Sequence, residues 1–119
     1  MLEEYLAKLR RDLSVGALHL VILLEIDRRA PIHGYALIKA MGEDLAATAF
    51  KEGTVYPILN LLERDGLVRS RWASGEHGPQ RKYYELTAVG RQALRLALAE
   101  WERLREGIDS ILEPRKAKA

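Results

Sequence analysis

The sequence contains no cysteine. That excludes disulfides, thiolate zinc sites and cysteine nucleophiles, and it suits a reducing compartment. Long hydrophobic runs are missing as well: the longest nearly uncharged stretch, residues 13–24, includes His19 and stops at Glu25, too short to cross a bilayer. The opening Met1-Leu2-Glu3-Glu4-Tyr5 is acidic and amphipathic, which is wrong for a secretory signal. The expectation is a cytoplasmic protein with no membrane partner. The three histidines, His19, His33 and His77, fall in different segments, so no metal site is expected. Carboxylates such as Glu3, Glu4, Glu63 and Glu100 are not paired with a base or nucleophile, and no glycine-rich phosphate loop follows a strand. Catalytic residues and a cofactor are therefore not expected, and the chain does not read as an enzyme.

What is present fits one modest core: 119 residues, 48% of them apolar. The net charge of +2 is only weakly basic, so its distribution carries more information than its total. Between Arg64 and Lys82 five basic residues (Arg64, Arg69, Arg71, Arg81, Lys82) face two acidic ones, whereas between Glu85 and Glu113 four basic residues face six acidic ones. Positive charge is concentrated in the middle of the chain.

Residues 3–11 form a short amphipathic helix in this reading, with Leu2, Tyr5, Leu6 and Leu9 on one side. Asp12 or Ser14 caps a second helix through Val15, Leu18, Ile22 and Ile26, which ends before Pro31. Tyr35, Leu37, Ile38 and Met41 fit a short helix from about His33, closed by Gly42. Glu43 to Glu52 reads as a turn. Val55, Ile58, Leu59 and Leu62 then give one helix face to the core, and Pro57, tolerated in a first turn, places the cap at Gly53 or Thr54. Asp65-Gly66 ends that helix. Residues 67–72 and 81–86 read as two strands around a polar loop, 74–80, and so as a hairpin. Thr87 caps a long final helix running to about Leu112, ended by Pro114 and a basic tail with Arg115, Lys116 and Lys118. Leu94, Trp101 and Ile108 recur every seven residues, as do Ala97, Leu104 and Ile111; with Leu98 they make a dimerisation seam that needs a partner helix.

This order predicts a mainly α fold with a β-hairpin wing: a winged helix-turn-helix plus a long C-terminal dimerisation helix. The divisions are 1–12 an N-terminal extension, 13–87 the DNA-binding domain, 88–113 the dimerisation helix and 114–119 the tail. Thr54, Tyr56, Pro57, Asn60 and Arg64 face outward on the third main helix, where hydroxyls hold phosphates and Asn or Arg pair with base edges. Arg71, His77, Arg81 and Lys82 give the wing a basic surface for the DNA backbone. Tyr35 reads equally as core filler or phosphate contact, and Lys39 as contact or solvated charge. Trp101 beside Ala97 reads first as seam, and second as the wall of a cavity at the two-fold axis.

Several strings, in order, carry a resemblance: Pro31-Ile32-His33-Gly34-Tyr35, Glu52-Gly53-Thr54-Val55-Tyr56-Pro57-Ile58-Leu59, Leu62-Glu63-Arg64-Asp65-Gly66-Leu67-Val68, Arg71-Trp72, Gly78-Pro79-Gln80-Arg81-Lys82-Tyr83-Tyr84, Leu86-Thr87 and Gly90. In these the chain resembles the PadR-like family of winged-helix transcriptional regulators, and its single helix after the wing resembles the smaller subgroup. The resemblance implies a homodimeric repressor on double-stranded DNA with a palindromic operator, in some members released by small aromatic or cationic ligands, and a Trp101 placed where a pore-lining tryptophan would be. It also implies that Trp72 packs under the wing. The rival readings are a winged helix used only for protein contacts and a ligand carrier.

Overall fold

A computed structural model of the chain describes residues 1–44, 51–74 and 78–114. The elements are α1 (Leu2–Arg29), β1 (Ile32–His33), α2 (Gly34–Asp44), α3 (Glu52–Arg64), β2 (Val68–Ser74), β3 (Gln80–Leu86) and α4 (Ala88–Leu112). The fold is a winged helix-turn-helix followed by a long helix. Its three-stranded antiparallel sheet has the order β1-β3-β2.

α1 is one continuous helix of 28 residues rather than the two expected. Ser14 does not cap a new helix, because its hydroxyl donates to the carbonyl of Arg10 one turn back, at 2.7 Å, as serine inside a helix can do. The C-terminal half of α1 carries the core residues Leu18, Ile22, Leu23 and Ile26. Its end is pinned to α2. Glu25, 3% exposed, accepts from Arg29 at 3.2 Å and Arg28 at 3.4 Å, and both guanidinium groups also reach Asp44 at the end of α2. Burial and then the neighbouring Asp44 raise the Glu25 carboxyl, which Arg29 opposes.

α2 does not stop at Gly42 but continues to Asp44. Of the turn expected over residues 43–52, Glu43 and Asp44 belong to α2 and Glu52 to α3, while residues 45–50 lie outside the described residues. α3 starts earlier than the proline suggested: Lys51 occupies the cap, and its carbonyl receives the N–H groups of Thr54 (2.9 Å) and Val55 (3.0 Å). Pro57 therefore lies in the second turn. The carbonyl it leaves without a helical donor belongs to Gly53, and both residues are exposed, so water can serve that group.

The end of α3 follows expectation. Gly66 has φ +78°, its N–H donates to Glu63 O at 3.1 Å, and the Leu67 N–H reaches Leu62 O at 2.8 Å, the paired bonds of a Schellman stop. Thr87 then joins this stop to α4. Its hydroxyl donates to Gly66 O at 2.6 Å and accepts from the Gly90 N–H at 3.0 Å, capping the last helix. β2 pairs with β3 from Val68↔Leu86 to Ser74↔Gln80. β1 was not foreseen: only two residues long, it pairs Ile32 with Tyr84 and His33 with Tyr83. The core gathers Leu37, Met41, Val55, Leu59, Leu62, Val68, Tyr84 and Leu86 around the buried stripe of α1.

Gly90 marks the tightest approach in this frame, because a β-carbon there would lie 1.9 Å from the Leu67 carbonyl oxygen. Gly90→Ala should lower unfolding stability by about 1–3 kcal/mol through forced separation of α4 from the α3–β2 turn. Gly53→Ala, with open space around it, should raise stability by up to about 1 kcal/mol. Urea unfolding of both variants checks the pair; equal small changes would contradict the close approach.

Candidate nucleic-acid interface

The helical period sorts α3 into two faces. Val55, Leu59 and Leu62 are buried, while Gly53, Pro57, Asn60 and Arg64 form an exposed ridge on the opposite side. The first half of that ridge has almost no side-chain bulk, and the second half ends in an amide and a guanidinium. Tyr56 and Glu63 occupy the flank between ridge and core, turned toward α2 and the wing.

Each has a structural partner. The Tyr56 ring covers the first residue of α2: a β-carbon on Gly34 would sit 2.5 Å from its Cε1 and 2.6 Å from its hydroxyl. Burial raises the Tyr56 hydroxyl, which stays protonated at neutral pH. Glu63 accepts from Ser70 Oγ of β2 and pairs with Lys82 Nζ of β3 at 2.8 Å. Hydrogen bonds from Lys82 and Ser70 lower the Glu63 carboxyl, and the same bond raises Lys82. The Lys82 ammonium also sits 5.7 Å from the centre of the Tyr84 ring. Its charge is tied to α3.

His33 is the junction between β1 and α2. Its Nδ1 accepts the N–H of Ala36 at 3.2 Å, which caps α2, and its ring stacks on Tyr83 with centroids 5.4 Å apart. The Arg81 guanidinium lies 3.2 Å from Nε2. Burial, then the Arg81 charge, lowers His33 below its ordinary value, so the ring is neutral at pH 7.

Between α2, α3 and the wing lies an open groove of about 540 Å³. Of the residues singled out from the sequence, Tyr35, Tyr56, Asn60, Arg81 and Lys82 line it, together with His33, Gly34, Trp72 and Tyr84. Lys39, Thr54, Pro57, Arg64 and Arg71 do not line it; all five are exposed nearby on α2, α3 and β2. His77 lies outside the described residues. The expected basic wing is smaller in effect: Lys82 pairs with Glu63 and Arg69 with Glu85 at 2.7 Å, while Arg71 and Arg81 form no ion pair among the described residues. Trp72 does not pack under the wing. It stands 64% exposed on the groove wall, cross-strand from Lys82.

The seam of α4 divides in two. Leu94 is buried in the core of the single chain, with Leu98 packed against it and Ala97 half-buried, so Leu94 has no apolar surface left for a partner. Trp101, Leu104, Ile108 and Ile111 are exposed, as are Leu2, Tyr5, Leu6, Leu9 and Leu13 on α1. Among the described residues no group of three or more His, Asp or Glu side chains could hold a metal, and no helix is long and apolar enough to cross a membrane.

The architecture is that of a winged-helix protein. Residues 22–96 match the transcriptional regulator PadR-like family, and the chain belongs to that family. It is similar to a PadR family transcriptional regulator from Eggerthella lenta, with 32% identity, a TM-score of 0.79, and 95% of this chain and 93% of that one covered. A PadR-like transcription factor from Bacteroides fragilis shares 32% identity at TM-score 0.69, over 87% of this chain and 98% of the other. An uncharacterised protein of Lysinibacillus sphaericus is 30% identical over 108 residues, covering 87% of this chain and 95% of that protein. The family is one of transcriptional regulators, not enzymes.

The lowered His33 value sets a pH dependence. A group whose folded value is depressed binds fewer protons in the folded state, so its contribution is complete above 6.5 and is lost as pH falls through the folded value. Stability should decline on acidification from about pH 7 to about pH 5, and His33→Asn, which keeps a capping acceptor but does not titrate, should flatten that decline. Thermal unfolding across this range checks it; an unchanged slope in the variant would assign the decline elsewhere.

Proposed function

We propose that the protein is a homodimeric transcriptional repressor that docks α3 in the major groove of a palindromic operator. The observation that carries this reading is the exposed ridge of α3, free of core duty, with Arg81 lining the groove beside it. Gly53 and Pro57 let the front of the helix approach the backbone closely. Asn60 and Arg64 follow as groups able to form paired hydrogen bonds with base edges. Thr54, Tyr35, Tyr56 and Lys39 border this surface with hydroxyls and an ammonium suited to phosphate. Lys82 contributes by holding β3 against α3, so the wing keeps its angle to the reading helix.

Dimerisation follows from the apolar surface left on α4 and α1, since a contiguous exposed stripe of this kind marks an association surface. A two-fold dimer joined through Trp101, Leu104, Ile108 and Ile111 would set two α3 helices about 34 Å apart, one turn of DNA. The division into a DNA-reading module, 13–87, and a dimerisation helix, 88–113, accords with this arrangement. Trp101 beside the smaller Ala97 is the place for a small aromatic effector, whose preference for one dimer arrangement would shift the other off DNA.

Selection of genomic fragments by the purified protein, with titration of the best duplex at two salt concentrations, tests the reading; no enrichment even at low salt would overturn it. Asn60→Ala should lose about 1–3 kcal/mol of base discrimination at one position of the selected site. Arg81→Ala should weaken operator and random duplexes alike and lower the slope of log K against log salt by about 0.9. Equal losses for both variants on both duplexes would contradict this division of roles. Ile108→Glu should convert the dimer to monomer in analytical ultracentrifugation and weaken operator binding by more than tenfold, because each half-site contact loses its tether.

A further inference from the structure

We infer that Trp72 is a DNA contact whose indole packs on deoxyribose, adding affinity that depends neither on base sequence nor on salt. This rests on the DNA-binding reading above. Trp72 is on β2, and Ser70, two residues earlier on the same strand face, is held by Glu63 of α3. That face is therefore turned toward the reading helix, and Trp72 shares the groove with Tyr56 and Asn60. Its ring is 64% exposed. Most other large exposed apolar residues are on α1 and α4, whereas Trp72 and Tyr35 are on the groove side.

The charges around the indole narrow what it can meet. Lys82, directly across the ladder, is occupied by Glu63, so this wall of the groove offers phosphate little free charge. Arg81, which lines the groove and forms no ion pair among the described residues, supplies that charge instead. An indole face gives phosphate neither a cation nor, except at its single N–H, a donor. The apolar surfaces that a duplex presents are thymine methyls and sugar C–H faces. The sugar recurs at every nucleotide, so a strand beside the reading helix meets it whatever the sequence. Burying the indole there removes apolar area from water without releasing counterions. The wing then divides its work, with Arg81 setting salt dependence and Trp72 adding a salt-independent part.

The test compares wild type, Trp72→Ala and Trp72→Phe on the selected operator and on a random duplex at two salt concentrations, with thermal unfolding of each. Trp72→Ala should weaken both duplexes by about tenfold, leave the salt slope and the unfolding midpoint unchanged, and be largely rescued in Trp72→Phe. Unchanged affinity overturns the assignment, and so does a loss confined to the operator, which would mark base reading. A reduced salt slope, or a lowered midpoint that Phe does not rescue, also overturns it. If wild type binds neither duplex, the DNA-binding reading itself fails.

Discussion

The Tyr56 ring lies where any side chain on residue 34 would have to be, and the geometry of the groove between α2, α3 and the wing depends on that contact. α2 and α3 approach each other through a glycine and an aromatic ring, so their angle is set by one close surface. The same dipeptide carries the sheet. His33 ends β1, caps α2 through Ala36 and stacks on Tyr83 of β3, so reading helix, turn and wing meet within two consecutive residues. The neutral state of His33 belongs to this arrangement, because a protonated ring could no longer accept the Ala36 N–H and would face Arg81 as a like charge.

A second set of bonds holds the wing at a fixed tilt. Glu63, on the flank of α3, receives Lys82 from β3 and Ser70 from β2, which fastens both strands of the hairpin to the helix that they flank. At the other end, the Schellman stop of α3, the Thr87 hydroxyl and the missing side chain of Gly90 bring the base of α4 onto the same turn. Movement of α4 is thereby coupled to α3 through backbone contacts. This is the mechanical link that an effector near Trp101 would need.

Much of this was legible in the sequence. The apolar period of α3, the Asp65-Gly66 stop, the alternation of the hairpin and the Thr87 cap each state a local preference that the fold keeps. What was not legible comes from tertiary context. Asp12 and Ser14 are able caps, yet Ser14 bonds backwards and α1 runs on. Pro57 looked like a start signal, but the carbonyl it orphans belongs to an exposed glycine, so α3 begins two residues ahead of Thr54. β1 is too short to leave a period. Among site residues, Lys82 counted as a free cation because nothing local reveals that Glu63, nineteen positions earlier, takes its charge. Trp72 was read as wing packing, and its exposure depends on how β2 meets α3.

The proposed arrangement has two copies of the α3 ridge on one duplex in adjacent turns, with the wing contacts fixing each to the backbone. It is tested most directly by inserting about five base pairs, half a helical turn, between the half-sites of the selected operator and measuring affinity. A loss approaching the level of random DNA is expected, because the rigid joints at Gly34 and Gly90 cannot rotate one reading helix to the opposite face. Undiminished affinity for the spaced operator would contradict it.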